Sequence, residues 1–128
     1  MVSTRTEDFV VEDQLLTDVG GSLPMSVLST PGMIAMMERT AARLAATTLD
    51  DGRPTVGFEV CVRHVAGAGE GARCIATARL REIEDDRKLR FDVEVHEGER
   101  LIGTGTHERR AVQPRGEQRR AVPEPPAA

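Results

Sequence analysis

The segment Ser29-Thr30-Pro31-Gly32-Met33-Ile34-Ala35-Met36-Met37-Glu38-Arg39-Thr40-Ala41 decides how this chain folds. At about 100° per residue, Met33, Ile34, Met37, Ala41, Ala42, Leu44, Ala45 and Leu49 fall on one arc of a helix, with Arg39 and Arg43 opposite. Thr30 suits the N-cap and Pro31 the first helical position, where its missing N–H would have had no partner. The breaker cluster Asp50-Asp51-Gly52-Arg53-Pro54 stops the helix near Thr48. One residue violates the pattern. Glu38 falls inside the apolar arc, between Ala45 and Leu49, and a carboxylate taken out of water needs a partner or a proton.

Outward from the helix the chain reads as strands. Residues 6–11 form a first strand, with Phe9 and Val11 on one face, followed by the glycine-containing stretch Asp18-Val19-Gly20-Gly21-Ser22-Leu23-Pro24. After the helix, residues 55–65 alternate, with Val56, Phe58, Val60, Val62 and His64 on one face. Gly67-Ala68-Gly69-Glu70-Gly71 turns the chain into residues 73–83, where Ala76, Ala78 and Leu80 oppose Arg79 and Arg81. Leu89, Phe91, Val93 and Val95 then alternate with Arg90, Asp92 and Glu94, and Glu97-Gly98-Glu99 turns into a last strand over 100–112. Period-2 alternation with one wet face predicts an antiparallel sheet.

A chain of 128 residues bounds the fold to one domain with a real core. With three Phe and no Tyr or Trp, that core is built from Val, Leu, Ile, Met and Ala. A net charge of -4 and 2% aromatics exclude a nucleic-acid partner, which calls for a basic surface and stacking platforms. Cys61 and Cys74, expected in neighbouring strands, are too few for a disulfide scaffold and read as small buried hydrophobes. The first residues contain acids and no apolar run, so no signal peptide is expected, and no segment approaches the ~20 apolar residues of a membrane span. The expected compartment is the cytoplasm, with no membrane partner.

The order β-α-β-β-β-β places the chain in the α+β class. One helix cannot cover both faces of a five-stranded sheet, whose edges stay open. Wrapping the sheet around the helix and pairing with a second copy solves both problems: a hot-dog fold and a homodimer, spanning residues 1–112. Residues 113–128 hold four of the seven prolines, and a disordered tail is expected there.

Thr30 at the helix start, Glu38 on the sheet-facing arc and His64 at the end of a strand put a hydroxyl, a carboxylate and an imidazole at one helix–sheet interface. Hydrolysis of an ester or thioester needs a nucleophile or held water, a base, and donors for the oxyanion. The N–H groups of Gly32 or Met33, or the backbone of Gly57, are candidate donors. Each residue also has a plain structural reading. Thr30 serves as an ordinary cap, His64 as a structural histidine, Glu38 as an ion-pair partner of Arg63 or Arg109, and Gly57 as a bulge; Arg109 and Arg110 read as solvated strand residues.

In three stretches the chain resembles hot-dog thioesterases of the fluoroacetyl-CoA thioesterase family. These are Thr30 to Glu38, Val56-Gly57 followed by Val62-Arg63-His64, and Gly105-Thr106-His107-Glu108-Arg109. The resemblance implies metal-independent hydrolysis of an acyl-CoA, with coenzyme A entering as part of the substrate and no cofactor. It implies Thr30 as catalytic hydroxyl, Glu38 as activator of water or of acyl transfer, and His64 as acid/base. Gly57 would bind the thioester oxygen across a dimer interface, and Arg109 would belong to the same site. His107 receives no role beyond structure. Gly20-Gly21-Ser22-Leu23-Pro24 departs from the aromatic lid of the fluoroacetyl-specific enzyme, which argues against that selectivity. The alternatives are a non-catalytic acyl-CoA binder, a hydratase, for which no Asp/His pair stands near Thr30, and a purely structural dimer.

Overall fold

The computed structural model describes residues 3–113; all of the expected disordered tail except Gln113 lies outside them. Strand β1 (Thr4–Val10) enters a 3-10 turn at Asp13–Leu15, then a short ribbon of β2 (Leu16–Thr17) and β3 (Val27–Leu28). Helix α1 (Thr30–Thr48) follows, then β4 (Thr55–His64), β5 (Arg73–Glu84), β6 (Lys88–Glu97) and β7 (Arg100–Ala111). The long strands form one antiparallel sheet in the order β1-β5-β6-β7-β4. Cys61 on β4 and Cys74 on β5 therefore lie on strands that are not neighbours; Cys74 is buried and Cys61 exposed, contrary to the expectation of two buried neighbours.

The helix lies on the sheet because both surfaces are apolar and one of them is small. Met33, Met36, Met37 and Leu44 of α1 are buried with Ala76 and Ala78 of β5 and Phe91, Val93 and Val95 of β6. The two alanines let the helix approach closely, and the flexible methionines fill the irregular gap. Burying each such large side chain stabilises the fold by roughly 1.5–3 kcal/mol. The buried arc is rotated from the one expected: Gly32, Met36 and Thr40 belong to it, and the Thr40 hydroxyl is satisfied by the Met36 carbonyl at 2.8 Å. Glu38 consequently sits on the rim of the arc, its side chain 41% exposed.

The opposite face of the sheet is wet, as the alternation predicts. Arg90 meets Glu82 at 3.1 Å, Glu84 at 2.8 Å and Glu108 at 3.1 Å, and Arg81 meets Asp92 at 3.2 Å.

Strand β4 departs from its expected regularity. Gly57 pairs with Arg109 and Glu59 with Glu108, so Phe58 is an extra residue in a β-bulge. Val60, Val62 and His64 keep the helix-side parity of His107, Gly105 and Gly103, while Phe58 turns to the other face and carries the Arg110 guanidinium 3.6 Å above its ring. The expected single face of Val56, Phe58, Val60, Val62 and His64 is thus divided by the bulge. β4 is also an edge of the sheet, and Val56, Phe58 and Val60 on it are exposed.

Candidate active site

Two groups of polar side chains lie one at each end of β4. The first begins at the helix start. Ser29, not Thr30, is the N-cap: its Oγ accepts the Gly32 N–H at 2.9 Å and its carbonyl accepts the Met33 N–H, also at 2.9 Å. Neither Gly32 nor Met33 therefore offers the free N–H expected of it. Gly32 is required by close approach, since a Cβ there would stand 2.7 Å from the Leu15 carbonyl oxygen. With capping done by its neighbour, the Thr30 hydroxyl reaches across to β4, where Thr30 Oγ1 lies 2.9 Å from His64 Nδ1. The hydroxyl donates to this nitrogen when the imidazole proton is on Nε2. His64 Nε2 itself is buried without a hydrogen-bond partner among the described residues, and buried polar atoms in native structures are mostly paired.

The second group surrounds Gly57. Glu38 Oε2 faces Arg109 Nη1 at 3.9 Å, and a Cβ added to Gly57 would stand 2.8 Å from the same carboxylate oxygen. Arg109 is buried and anchored by donation from Nε to Thr55 Oγ1 at 2.8 Å and from Nη2 to the Thr55 carbonyl at 2.9 Å. Of the two ion-pair partners left open for Glu38, the structure selects Arg109. Burial pushes the Arg109 guanidinium down from its ordinary value, against the opposing pull of Glu38, yet a guanidinium stays charged.

His107 completes this group. It is buried, donates from Nδ1 to the Glu59 carbonyl at 2.8 Å and accepts from Arg109 Nη1 at Nε2, 3.3 Å away. Burial pushes its pKa below the ordinary histidine value; the Arg109 charge adds to that, while the Glu59 carbonyl and Glu38 oppose it. Thr55 and His107 are the site neighbours that the sequence reading left without a role. The signal available was parity: Thr55, His107 and Arg109 share the helix side.

Within one chain, then, Thr30 meets His64 and Glu38 meets Arg109 beside Gly57. Glu38 stands two turns beyond Thr30, about 12 Å along the helix, and His64 lies some 20 Å along β4 from Gly57. The expected convergence of Thr30, Glu38 and His64 at one end does not occur inside a single chain. Among the described residues no cluster of three His, Cys, Asp or Glu side chains is placed to hold a metal ion, and no helix is long and apolar enough to cross a membrane.

One long helix laid across a five-stranded antiparallel sheet, with polar groups at the edge strand, defines a hot-dog protein of the thioesterase type. The chain belongs to the fluoroacetyl-CoA-specific thioesterase family, whose model matches residues 10–115. A fluoroacetyl-CoA thioesterase from Streptantibioticus cattleyicolor is 37% identical over 86 residues, which span 67% of this chain and 61% of that protein. The solved structure of the fluoroacetyl-CoA thioesterase superposes with a TM-score of 0.80 at 30% identity, covering 96% of this chain and 98% of that one. A Thermus thermophilus thioesterase superfamily member superposes with a TM-score of 0.78 at 25% identity, over 93% and 86% of the two chains.

Proposed function

We propose that the chain hydrolyses an acyl-CoA thioester to the free acid and coenzyme A, as a homodimer whose sites each draw on both subunits. One observation carries this reading: the two reactive groups lie at opposite ends of an apolar edge strand, whose outer side pairs with no other described strand. Two copies of β4 running antiparallel about a two-fold axis bring opposite ends together.

Face parity restricts the two-fold axis to a residue position, and opposite-charge pairing favours Cys61. A two-fold axis perpendicular to the sheet preserves faces, so residues opposite one another must share one. An axis at Cys61 sets Val60 against the partner subunit's Val62 and Glu59 against the partner subunit's Arg63, an opposite-charge pair. Beyond the bulge it sets His64 against the partner subunit's Gly57. Thr30 and His64 of one protomer then face the partner's Glu38, Gly57 and Arg109. The arrangement also covers the exposed apolar strand, which otherwise invites uncontrolled pairing.

The chemistry follows from these roles. The thioester carbonyl oxygen accepts the Gly57 N–H, which polarises the carbonyl carbon. The Thr30 hydroxyl, aligned by His64, attacks that carbon or holds the water that does. In either route a proton leaves the attacking oxygen for His64, the C–S bond breaks, and His64 returns the proton to the departing thiolate. In the covalent route water then attacks the acyl-Thr30 ester: Glu38, paired with Arg109, takes its proton, the ester C–O bond breaks, and that proton returns to the Thr30 oxygen; in the direct route the acid is already formed when the thiol leaves. The route uses no metal or cofactor. The acyl group is open to assay: fluoroacetyl-CoA is the substrate in the relatives' names, and the loop before the helix here exposes Val19, Leu23 and Met25.

The test is thiol release from a panel of acyl-CoAs that includes fluoroacetyl- and acetyl-CoA, with Glu38→Gln, His64→Ala and Thr30→Ala in parallel. Release by the wild type and its loss in all three variants supports the reading. Saturable binding of every acyl-CoA without release makes the protein a binder instead.

A further inference from the structure

We infer that His107 is a positioning residue, which holds the Arg109 guanidinium where it faces Glu38. The inference rests on the proposed role of Glu38 and adds a member to that site. A carbonyl only accepts and a guanidinium only donates. The 2.8 Å contact to the Glu59 carbonyl therefore places the imidazole proton on Nδ1, and the 3.3 Å contact from Arg109 Nη1 leaves Nε2 as a bare acceptor. One neutral tautomer satisfies both.

Three features build this tautomer in. The bulge at Phe58 interrupts the regular ladder beside Glu59, and the Glu59 carbonyl meets the imidazole there. Phe91 of β6 stacks on the ring, with centroids 6.2 Å apart and planes at 29°. Burial together with the adjacent Arg109 charge disfavours the imidazolium, whose Nε2–H would point at the Arg109 N–H. His107 is thus unsuited to carry protons and suited to fix a neighbour. Thr55 holds Arg109 through Nε and Nη2, and His107 takes Nη1, the nitrogen nearest Glu38. With all three nitrogens engaged, the guanidinium cannot swing away from the carboxylate.

Two variants and one spectrum test this. His107→Phe keeps the ring and its stacking on Phe91 but removes both hydrogen bonds; His107→Gln restores a donor for Glu59 and an acceptor for Arg109. The expected result is a folded His107→Phe dimer with kcat reduced on the order of 10- to 10²-fold and KM within about twofold of wild type. His107→Gln should recover most of the loss. Wild-type kcat in His107→Phe, a change confined to KM, or equal impairment of the two variants would each overturn the inference. Imidazole ¹⁵N spectra of the wild type should show a protonated Nδ1 and a bare Nε2; the opposite tautomer also overturns it, and this readout does not need turnover. Absence of acyl-CoA turnover in the wild type would strike the proposed function instead, leaving the spectrum to decide the role of His107.

Discussion

Thr30 Oγ1 lies 2.9 Å from His64 Nδ1 because Ser29 has taken over the helix cap. Two adjacent hydroxyls divide two tasks, and substitutions should separate them. Ser29→Ala should lower stability by about 1 kcal/mol, the usual cost of a lost cap. Thr30 is exposed, so Thr30→Ala should change stability by no more than about 0.5 kcal/mol while reducing thiol release on the order of 10²- to 10⁴-fold. Chemical denaturation and the thiol assay on both variants check the division.

Cys61 reports on the register. With the two-fold axis at Cys61, its side chain faces the partner subunit's Cys61 at a Cα separation of about 4.5–5.5 Å, within the range that a disulfide spans. Mild oxidation should convert the protein to a covalent dimer on non-reducing electrophoresis, and Cys61→Ser should abolish it. Cys74 is buried and should not substitute. A register displaced from Cys61 gives no such product.

Met33 should limit acyl length. It is fully buried, and its sulfur lies where a Cβ on Gly103 would be, next to the residue that pairs with His64. Met33→Ala should cost about 2–5 kcal/mol of stability and raise the relative kcat/KM for longer acyl-CoAs. A chain-length profile unchanged from wild type would place the acyl group elsewhere.

Stability should fall on acidification partly through His107. Its folded pKa lies below the ordinary value of 6.5, chiefly through burial. Between 6.5 and that lower value the unfolded chain binds a proton that the folded chain does not, so stability decreases as the pH falls through this window. His107→Phe should flatten the dependence of the denaturation midpoint on pH there; an unchanged slope would mean that other groups account for it.

Much of this was legible in the sequence. Pro31 and the Asp50–Pro54 breakers bracket the helix to within a residue or two, and alternation marks the five long strands. The family resemblance rests on Thr30 to Glu38, on Val56-Gly57 with Val62-Arg63-His64, and on Gly105 to Arg109, and the chain belongs to that family. The bulge was hidden because Val56, Phe58, Val60 and Val62 alternate without a break, and apolar residues on both faces of an edge strand leave no phase to read. Ser29 and Thr30 are both good caps, so only the folded backbone decides between them. Glu38 fell inside the expected arc because that arc omitted Met36 and Thr40. Residues 13–17 and 27–28 are too short to show a period. The link from His107 to Glu59 uses a backbone carbonyl beside the bulge, which no side-chain pattern encodes.

The division of each site between subunits is tested most directly by mixing two inactive proteins. In the proposed dimer, Thr30→Ala and Glu38→Gln homodimers would each lack one half of every site. Exchanged in equal amounts, they form about half heterodimers, and each heterodimer pairs an intact Thr30–His64 with an intact Glu38 at one of its two sites. Shared sites restore about a quarter of wild-type thiol release per mole of protein. If mixing restores nothing although exchange is verified by mass spectrometry, Thr30 and Glu38 serve the same site from one chain, and the composite site is wrong.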